Sequence, residues 1–472
     1  MAKAIEFDAV LVGTGQAVPA LAVALAKRGE RVAVIEGSLV GGSCVNVGCT
    51  PTKTLRKSAR VAYLARRAAE FGVHVGKVDV DFGAAMQRMQ DFVDHARGDL
   101  EHWITHEPKV TLFRAWGSFT GRSAQGFELM AGEQPLHAKR VYLNTGTRAS
   151  IPPVPGIGDV PYLDNVSLLK LRTLPRHLLI MGGSYIGLEM GQIFRRLGSE
   201  VTVVETAPRI TIREDPEVSE CIADFLAAEG ITVVAGHPVV RVEGSQQGVA
   251  LQVGDRRIEG SHLLVATGRL PNTERLKLDA VGVKTDERGF VPTNAQLETN
   301  VPGIWALGDI NKRGAFTHTS YQDHEIVLAN YLVSQGDTRE AHPRSADERN
   351  MAYAMFTDPP LGRVGQSEAE ARASGKRILV ATHKMKYVSR AKEESETTGL
   401  IKLLVDADSE RFVGATVLGI NGDEIIQVIS NFMATGASYR LMKDSLPIHP
   451  TVTEFLPTVL GKLKPLPEVS AR

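Results

Sequence analysis

The chain has 472 residues, 43% of them hydrophobic and 23% charged, which are the proportions of a soluble globular protein with two to four domains. Fifty-four Lys and Arg balance 54 Asp and Glu, which excludes a net field that would recruit nucleic acid or an anionic membrane. No apolar run approaches the roughly 18 residues of a membrane helix, no basic-then-apolar leader precedes the first strand-like segment, and three cysteines make no extracellular disulfide framework. A cytoplasmic enzyme is expected.

Taken in chain order, Phe7 to Val12 predicts a strand. It is followed by the turn Gly13-Thr-Gly15, a helix to Arg28 and a second strand from Arg31 to Glu36. About 169 residues later the pattern returns: His177 to Met181, the turn Gly182-Gly-Ser184-Tyr185-Ile-Gly187, a helix to Leu197 and a strand from Glu200 to Glu205. Each set is an opening βαβ unit of a dinucleotide fold. In both, an acid follows the central turn position by 21 residues, where its carboxylate can accept ribose hydroxyls. Glycines in such turns let a pyrophosphate approach the positive end of the helix. In the first unit the third glycine position is Val18, a departure that either small neighbours such as Ala20 and Ala22 compensate or that weakens the site.

Between the units, residues 57–105 carry helical spacing and predict long helices. Ile151-Pro-Pro-Val-Pro-Gly156 marks a domain boundary. Beyond residue 345, strands over 399–405 and 411–417 precede helices over 423–436. The expected class is α/β with two Rossmann-like domains and a C-terminal α+β domain, divided at 1–150, 151–265, 266–340 and 345–472.

Two of the three cysteines lie in Gly41-Gly42-Ser43-Cys44-Val-Asn-Val-Gly48-Cys49-Thr-Pro-Thr-Lys53. Five residues of ideal helix advance about 7.5 Å and turn about 140°, whereas a disulfide needs Cα atoms about 4.4–6.8 Å apart. A bridge therefore requires a distorted segment, and Gly48 supplies freedom beside the second cysteine. A zinc site is excluded because no second Cys or His pair stands at ligand spacing. Cys221, alone in a helical stretch, reads as core.

This motif resembles the redox-active disulfide of the flavoprotein disulfide reductases (glutathione reductase, lipoamide dehydrogenase and mercuric reductase), and the resemblance runs through essentially the whole chain. It implies FAD in the 1–150 domain, bound at Gly13, Gly15, Glu36, Gly42 and Ser43, with Gly117 against the adenine. It further implies Asp309 on the ribityl chain, Thr317 at a helix start facing the flavin, and crossover turns at Thr145-Gly146 and Gly268-Arg269. The 151–265 domain would hold the nicotinamide nucleotide at Gly182, Ser184, Gly187 and Glu205, with Tyr185 as the gate over the flavin. Glu205 favours NAD, since a carboxylate repels a 2′-phosphate; NADP remains possible through Arg209. The resemblance makes Cys49 the charge-transfer thiolate and Cys44 the interchange thiol, with Lys53 paired to Glu189 near the flavin.

His449-Pro-Thr-Val-Thr-Glu454 is similar to the family's acid–base motif, in which the pair serves the disulfide of the other subunit. That implies a homodimer with a shared active site, residues 345–472 forming the interface. The implied activity passes electrons from NAD(P)H through FAD to Cys44–Cys49 and on to a small-molecule or protein disulfide, or to another oxidised acceptor. Mercuric-reductase-like members look nearest, yet the chain has no cysteine after Cys221 to deliver mercuric ion. The alternatives are a dihydrolipoamide dehydrogenase, a metal-ion reductase, and a redox-sensing flavoprotein module with slow turnover.

Overall fold

The computed structural model describes residues 3–467 apart from Thr338 and Glu340. The extreme ends of the expected 1–150 and 345–472 spans, and two positions within 266–340, lie outside the described residues. The first layer is built on β1 (Ile5–Val12), β2 (Val32–Ile35), β3 (Val110–Phe113), β4 (Gly117–Ser123), β5 (Gly126–Ala131) and β6 (Gln134–Leu143). Their order is β3-β2-β1-β6-β5-β4, parallel from β3 to β6 and antiparallel beyond. β1 and β2 are nearly continuous apolar runs because both sheet faces are covered.

Residues 266–340 contribute to this layer. Strand Ile304–Ala306 pairs in parallel with β6, and the late helix Thr317–Ser334 packs over the same sheet through Ile326 and Val327.

Helix α1 (Val18–Lys27) packs beside that late helix on the same face of the sheet, with Val18, Leu21, Ala22 and Leu25 all fully buried. Val18 fits without strain because the helix begins there, five residues after Gly13; in the second unit the helix begins at Tyr185, three residues after Gly182. There the third glycine is required, since a Cβ on Gly187 would collide with the Gly182 carbonyl oxygen.

The cysteine segment is α2 (Gly42–Val47) and α3 (Cys49–Arg66), broken at Gly48 with φ −136° and ψ −118°. A side chain at Gly48 would meet the Ser43 carbonyl oxygen at 2.8 Å, so glycine permits the close turn between the two helices. The expected long helices are α3 and α4 (Phe82–Thr105), the latter capped by Asp81 accepting from Ala84 N at 2.8 Å. The stretch between them holds only a short 3-10 turn over Ala68–Phe71.

The second layer is a four-stranded parallel sheet of Ile231–Ala235, Glu200–Glu205, His177–Met181 and His262–Val265. Helices α5 (Tyr185–Leu197) and α6 (Pro216–Ala228) cover it. The third layer is an antiparallel sheet from Ala352–Met355 to Lys464–Pro465, backed by the helix Gly422–Thr435.

Buried ion pairs join the layers. Arg196, 4% exposed, donates to Glu229 and pairs with Asp358, which also takes Arg60. Asp215, Glu217 and Glu368 form a cluster of three carboxylates whose centre is filled by the Lys402 ammonium, at 2.9, 2.6 and 2.5 Å. Among the described residues no helix is long and apolar enough to cross a membrane.

Candidate dithiol and nucleotide site

One cavity of about 2950 Å³ runs from the first glycine turn past the cysteines to the second glycine turn. Every residue selected from the sequence lines it except Gly187, His449 and Glu454. Gly187 serves helix–strand packing, as described above. His449 Nδ1 lies 2.9 Å from Glu454 Oε2, but this pair stands away from the cavity with the histidine 73% exposed.

Cys49 is the first residue of α3, so helix-end N–H groups face its sulfur. Its Sγ lies 3.1 Å from Thr317 Oγ1. A hydrogen bond from Cys44 is the largest influence on Cys49; with the Thr317 hydroxyl and the Lys53 charge it lowers the Cys49 thiol to about 6, against the opposing effect of burial. The same hydrogen bond, reinforced by burial, pushes Cys44 strongly upward. The directions of the two shifts favour the thiolate on Cys49, with Cys44 as its hydrogen-bond donor.

Lys53, one turn along α3, donates to Glu189 Oε2 at 2.8 Å, and its ammonium sits 4.3 Å above the Phe356 ring. Glu189 Oε1 accepts from Phe356 N at 2.8 Å. The lysine is thereby fixed between α3 and α5, beside the thiols.

At the first turn, Glu36 Oε2 accepts from Thr14 N at 2.9 Å and from the Thr14 hydroxyl, while Oε1 accepts from Ser38 N. The second turn repeats this: Glu205 Oε2 accepts from Gly183 N at 2.7 Å and Oε1 from Ala207 N at 2.8 Å. Arg209 faces away from that carboxylate and donates to the Glu214 and Ile212 carbonyls and to Ser219. At the chamber's far wall, burial pushes the Asp309 carboxyl up, opposed by Arg269 and by the Thr147 hydroxyl, which donates to Asp309 Oδ2 at 2.9 Å. Arg269 in turn donates to Thr147 Oγ1 at 2.6 Å.

Several residues of this site had no signal in the sequence. Trp116 carries Arg275 across its face at 4.3 Å and fills the space above Gly37, where a Cβ could not fit. Tyr353 stands beside the thiols, stacked at 5.2 Å on Phe316, the residue before the helix start expected at Thr317. Glu214 precedes Asp215-Pro216, a pattern that reads only as a helix start.

A family model described as pyridine nucleotide-disulphide oxidoreductase matches residues 7–323, and its dimerisation-domain companion matches residues 351–460. The chain belongs to the pyridine nucleotide-disulphide oxidoreductase family. Among relatives, the probable pyridine nucleotide-disulfide oxidoreductase RclA of Escherichia coli is 33% identical, with 97% of this chain and all of the relative covered. Mercuric reductase of Staphylococcus aureus is 30% identical over 96% of this chain and 81% of the relative. Dihydrolipoyl dehydrogenase of Cupriavidus necator is 30% identical over 89% and 90%. The solved Cu(II) complex of a mutant of the E. coli HOCl-induced flavoprotein disulfide reductase RclA superposes with a TM-score of 0.88 at 33% identity, covering 98% of this chain and all of that one.

The protein is therefore an NAD(P)H-dependent flavoenzyme of this family, with two nucleotide-binding Rossmann-like units and a C-terminal dimerisation domain. Its first chamber fits FAD. Gly15 and Gly42 approach so closely that a Cβ on Gly42 would lie 3.0 Å from Gly15 Cα, leaving a bare-backbone cradle at the start of α1. Asn144 Oδ1, buried in the same wall, has no hydrogen-bond partner among the described residues.

Proposed function

We propose that the protein is a homodimeric, NADH-preferring disulfide reductase in which Cys44 and Cys49 are the redox pair. The observation that carries this reading is the Cys49 thiol, lowered to about 6 beside Lys53 and Thr317. The glycine cradle, Glu36 and Asp309 would hold FAD, and Glu205 with Ser184 would hold the nucleotide. FAD, when bound, supplies the two-electron relay between a hydride donor and a dithiol. Lys53 places a fixed positive charge beside the thiolate, and Phe316, Tyr353 and Phe356 form an aromatic wall on that side of the chamber.

With a disulfide acceptor, Cys44 loses its proton and attacks one sulfur. The acceptor's S–S bond breaks, a mixed disulfide forms, and the first thiolate leaves to be protonated. Cys49 then attacks Cys44 Sγ, the second thiol leaves, and the Cys44–Cys49 disulfide remains. Cys44, raised by burial and by its bond to Cys49, needs a base for the first step. Among the described residues no histidine–carboxylate pair stands at Cys44; His449–Glu454 of a second copy fits that role, which supports a shared site. Glu205 supports NADH because its carboxylate would repel a 2′-phosphate, and Arg209 is tied to the Ile212 and Glu214 carbonyls rather than turned toward that carboxylate.

A second reading has its own support. The solved relative RclA forms a Cu(II) complex, and two thiols with one thiolate are soft ligands for copper. In that case Cu(II) would be the substrate, each ion taking one electron from the reduced pair. The test for both readings is an anaerobic titration of the purified protein with NADH and then NADPH, followed by disulfide or Cu(II). The expected result is full flavin content, a long-wavelength thiolate–flavin absorption after two electrons, and its discharge by one acceptor class. Flavin reduction without that absorption would refute the roles given to Cys44 and Cys49.

A further inference from the structure

Beside the nucleotide turn, side chains from three segments converge on one buried carboxylate. Tyr185, the first residue of α5, donates its hydroxyl to Glu214 Oε1 at 2.7 Å. Tyr353 donates to the same oxygen at 2.8 Å, and Arg363 holds Oε2 at 3.0 Å. The Glu214 side chain is wholly buried and that of Arg363 is 3% exposed.

The Tyr185 ring stands where the second glycine turn meets the thiol chamber. It lies 5.5 Å from Tyr353, which stacks on Phe316; the next residue, Thr317, touches Cys49. One turn along α5 is Glu189, the partner of Lys53.

We propose that Glu214 is a latch for Tyr185, a positioning residue that holds the ring across the passage between the nucleotide groove and the flavin–dithiol chamber. The proposal rests on the function given above, since it needs a nicotinamide to displace the ring. Glu214 is well placed to be released by that ligand. It lies on the turn 206–215, from which Thr206, Thr211 and Ile212 line the same cavity. Thr211, at φ 47°, is tied to the glycine turn by donating its N–H to the Gly183 carbonyl at 2.8 Å. A dinucleotide lying along the groove therefore touches the segment that carries the latch.

Opening the latch breaks a single hydrogen bond. Glu214 keeps Arg363 and Tyr353, so no bare buried charge is left behind. While the ring is latched, only the unlatched fraction can accept a nicotinamide, and apparent affinity falls by that fraction. Removing the hydroxyl removes that handicap.

The test compares Tyr185→Phe and Tyr185→Ala holoenzyme with the unaltered holoenzyme. NAD+ binding is measured by calorimetry, and amide exchange is followed over residues 206–215. In Tyr185→Phe the Kd for NAD+ should fall at least fivefold, exchange in the turn should quicken, and the steady-state gain should fall on KM for NADH rather than on kcat. A merely destabilised fold would not tighten binding. Unchanged or weaker binding in Tyr185→Phe together with tighter binding in Tyr185→Ala overturns the latch and leaves a ring that gates by bulk alone. Unchanged binding in both variants overturns the latch while the proposed function stands. An unaltered holoenzyme that neither binds NAD+ nor is reduced by NADH overturns that function and the latch with it. Glu214→Gln would strand Arg363 without its carboxylate, so the tyrosine variants carry the test.

Discussion

Cys44→Ala removes the hydrogen bond that does most to hold Cys49 as a thiolate. A hydrogen bond to a charged acceptor is worth about 1.5–3 kcal/mol. At about 1.4 kcal/mol per pH unit, its loss should raise the Cys49 midpoint by about one to two units. Starting from a thiol lowered to about 6, the thiolate fraction at pH 7 would fall from roughly nine-tenths to between about one-half and one-tenth. Thr317, Lys53 and the α3 terminus remain in place, so the midpoint should stay below that of an ordinary cysteine. The assay is the pH dependence of the long-wavelength absorption of the Cys44→Ala holoenzyme, checked by the pH profile of iodoacetamide labelling at Cys49. A midpoint that stays near 6 in the variant would refute the reasoning and shift the source of thiolate stabilisation to Lys53 and the helix end. Cys44→Ser, which keeps a donor, should lie between the two.

Three further outcomes are expected. His449→Gln should slow disulfide reduction by about 10²–10⁴-fold while leaving anaerobic flavin reduction by NADH within twofold in stopped-flow traces; equal loss in both half-reactions would place the histidine elsewhere. Glu205→Ala should narrow the preference for NADH over NADPH at least tenfold in kcat/KM, and an unchanged ratio would remove Glu205 from discrimination. Asp358 is held below the usual carboxylate range by Arg196 and Arg60 against the opposing effect of burial. Its contribution to stability is present above the unfolded carboxylate range and lost as pH falls through the depressed folded value. Asp358→Ala leaves Arg196 with one carboxylate fewer and should cost about 3–5 kcal/mol in urea unfolding at pH 7, with the difference from the unaltered protein shrinking toward pH 3.

Both nucleotide units were legible in the sequence because they depend on short-range chemistry: a short, nearly continuous apolar run, a glycine turn and an acid at fixed distance. The close cysteine pair and the break at Gly48 were legible from spacing, whereas the roles of Cys44, Cys49 and Lys53 came only with the family resemblance. The pairing of Lys53 with Glu189 spans 136 residues and was reached only through family resemblance. At Val18 the two units differ because α1 starts two residues later than α5 relative to its glycine turn, a shift that no periodicity reveals. Tyr353, Glu214 and Arg363 were silent, because their partners lie between 29 and 149 residues away and each alone reads as an ordinary strand or cap residue. The place of His449 was expected from motif alone; one chain shows its carboxylate partner but not the thiols it would serve.

The adjacent acids Glu214 and Asp215 grip the C-terminal sheet from one point, the first through Arg363 and the second through Lys402. Both cations are almost completely shielded from water, so the two ion pairs escape most of the screening that weakens exposed ones. The nucleotide layer is thereby riveted to the sheet that carries the dimerisation surface. A clamshell rotation of that layer would have to tear both rivets at once, which sets both contacts against rigid-body opening of the nucleotide groove. Mechanical strain applied at the subunit boundary would reach the nucleotide groove through the same two contacts.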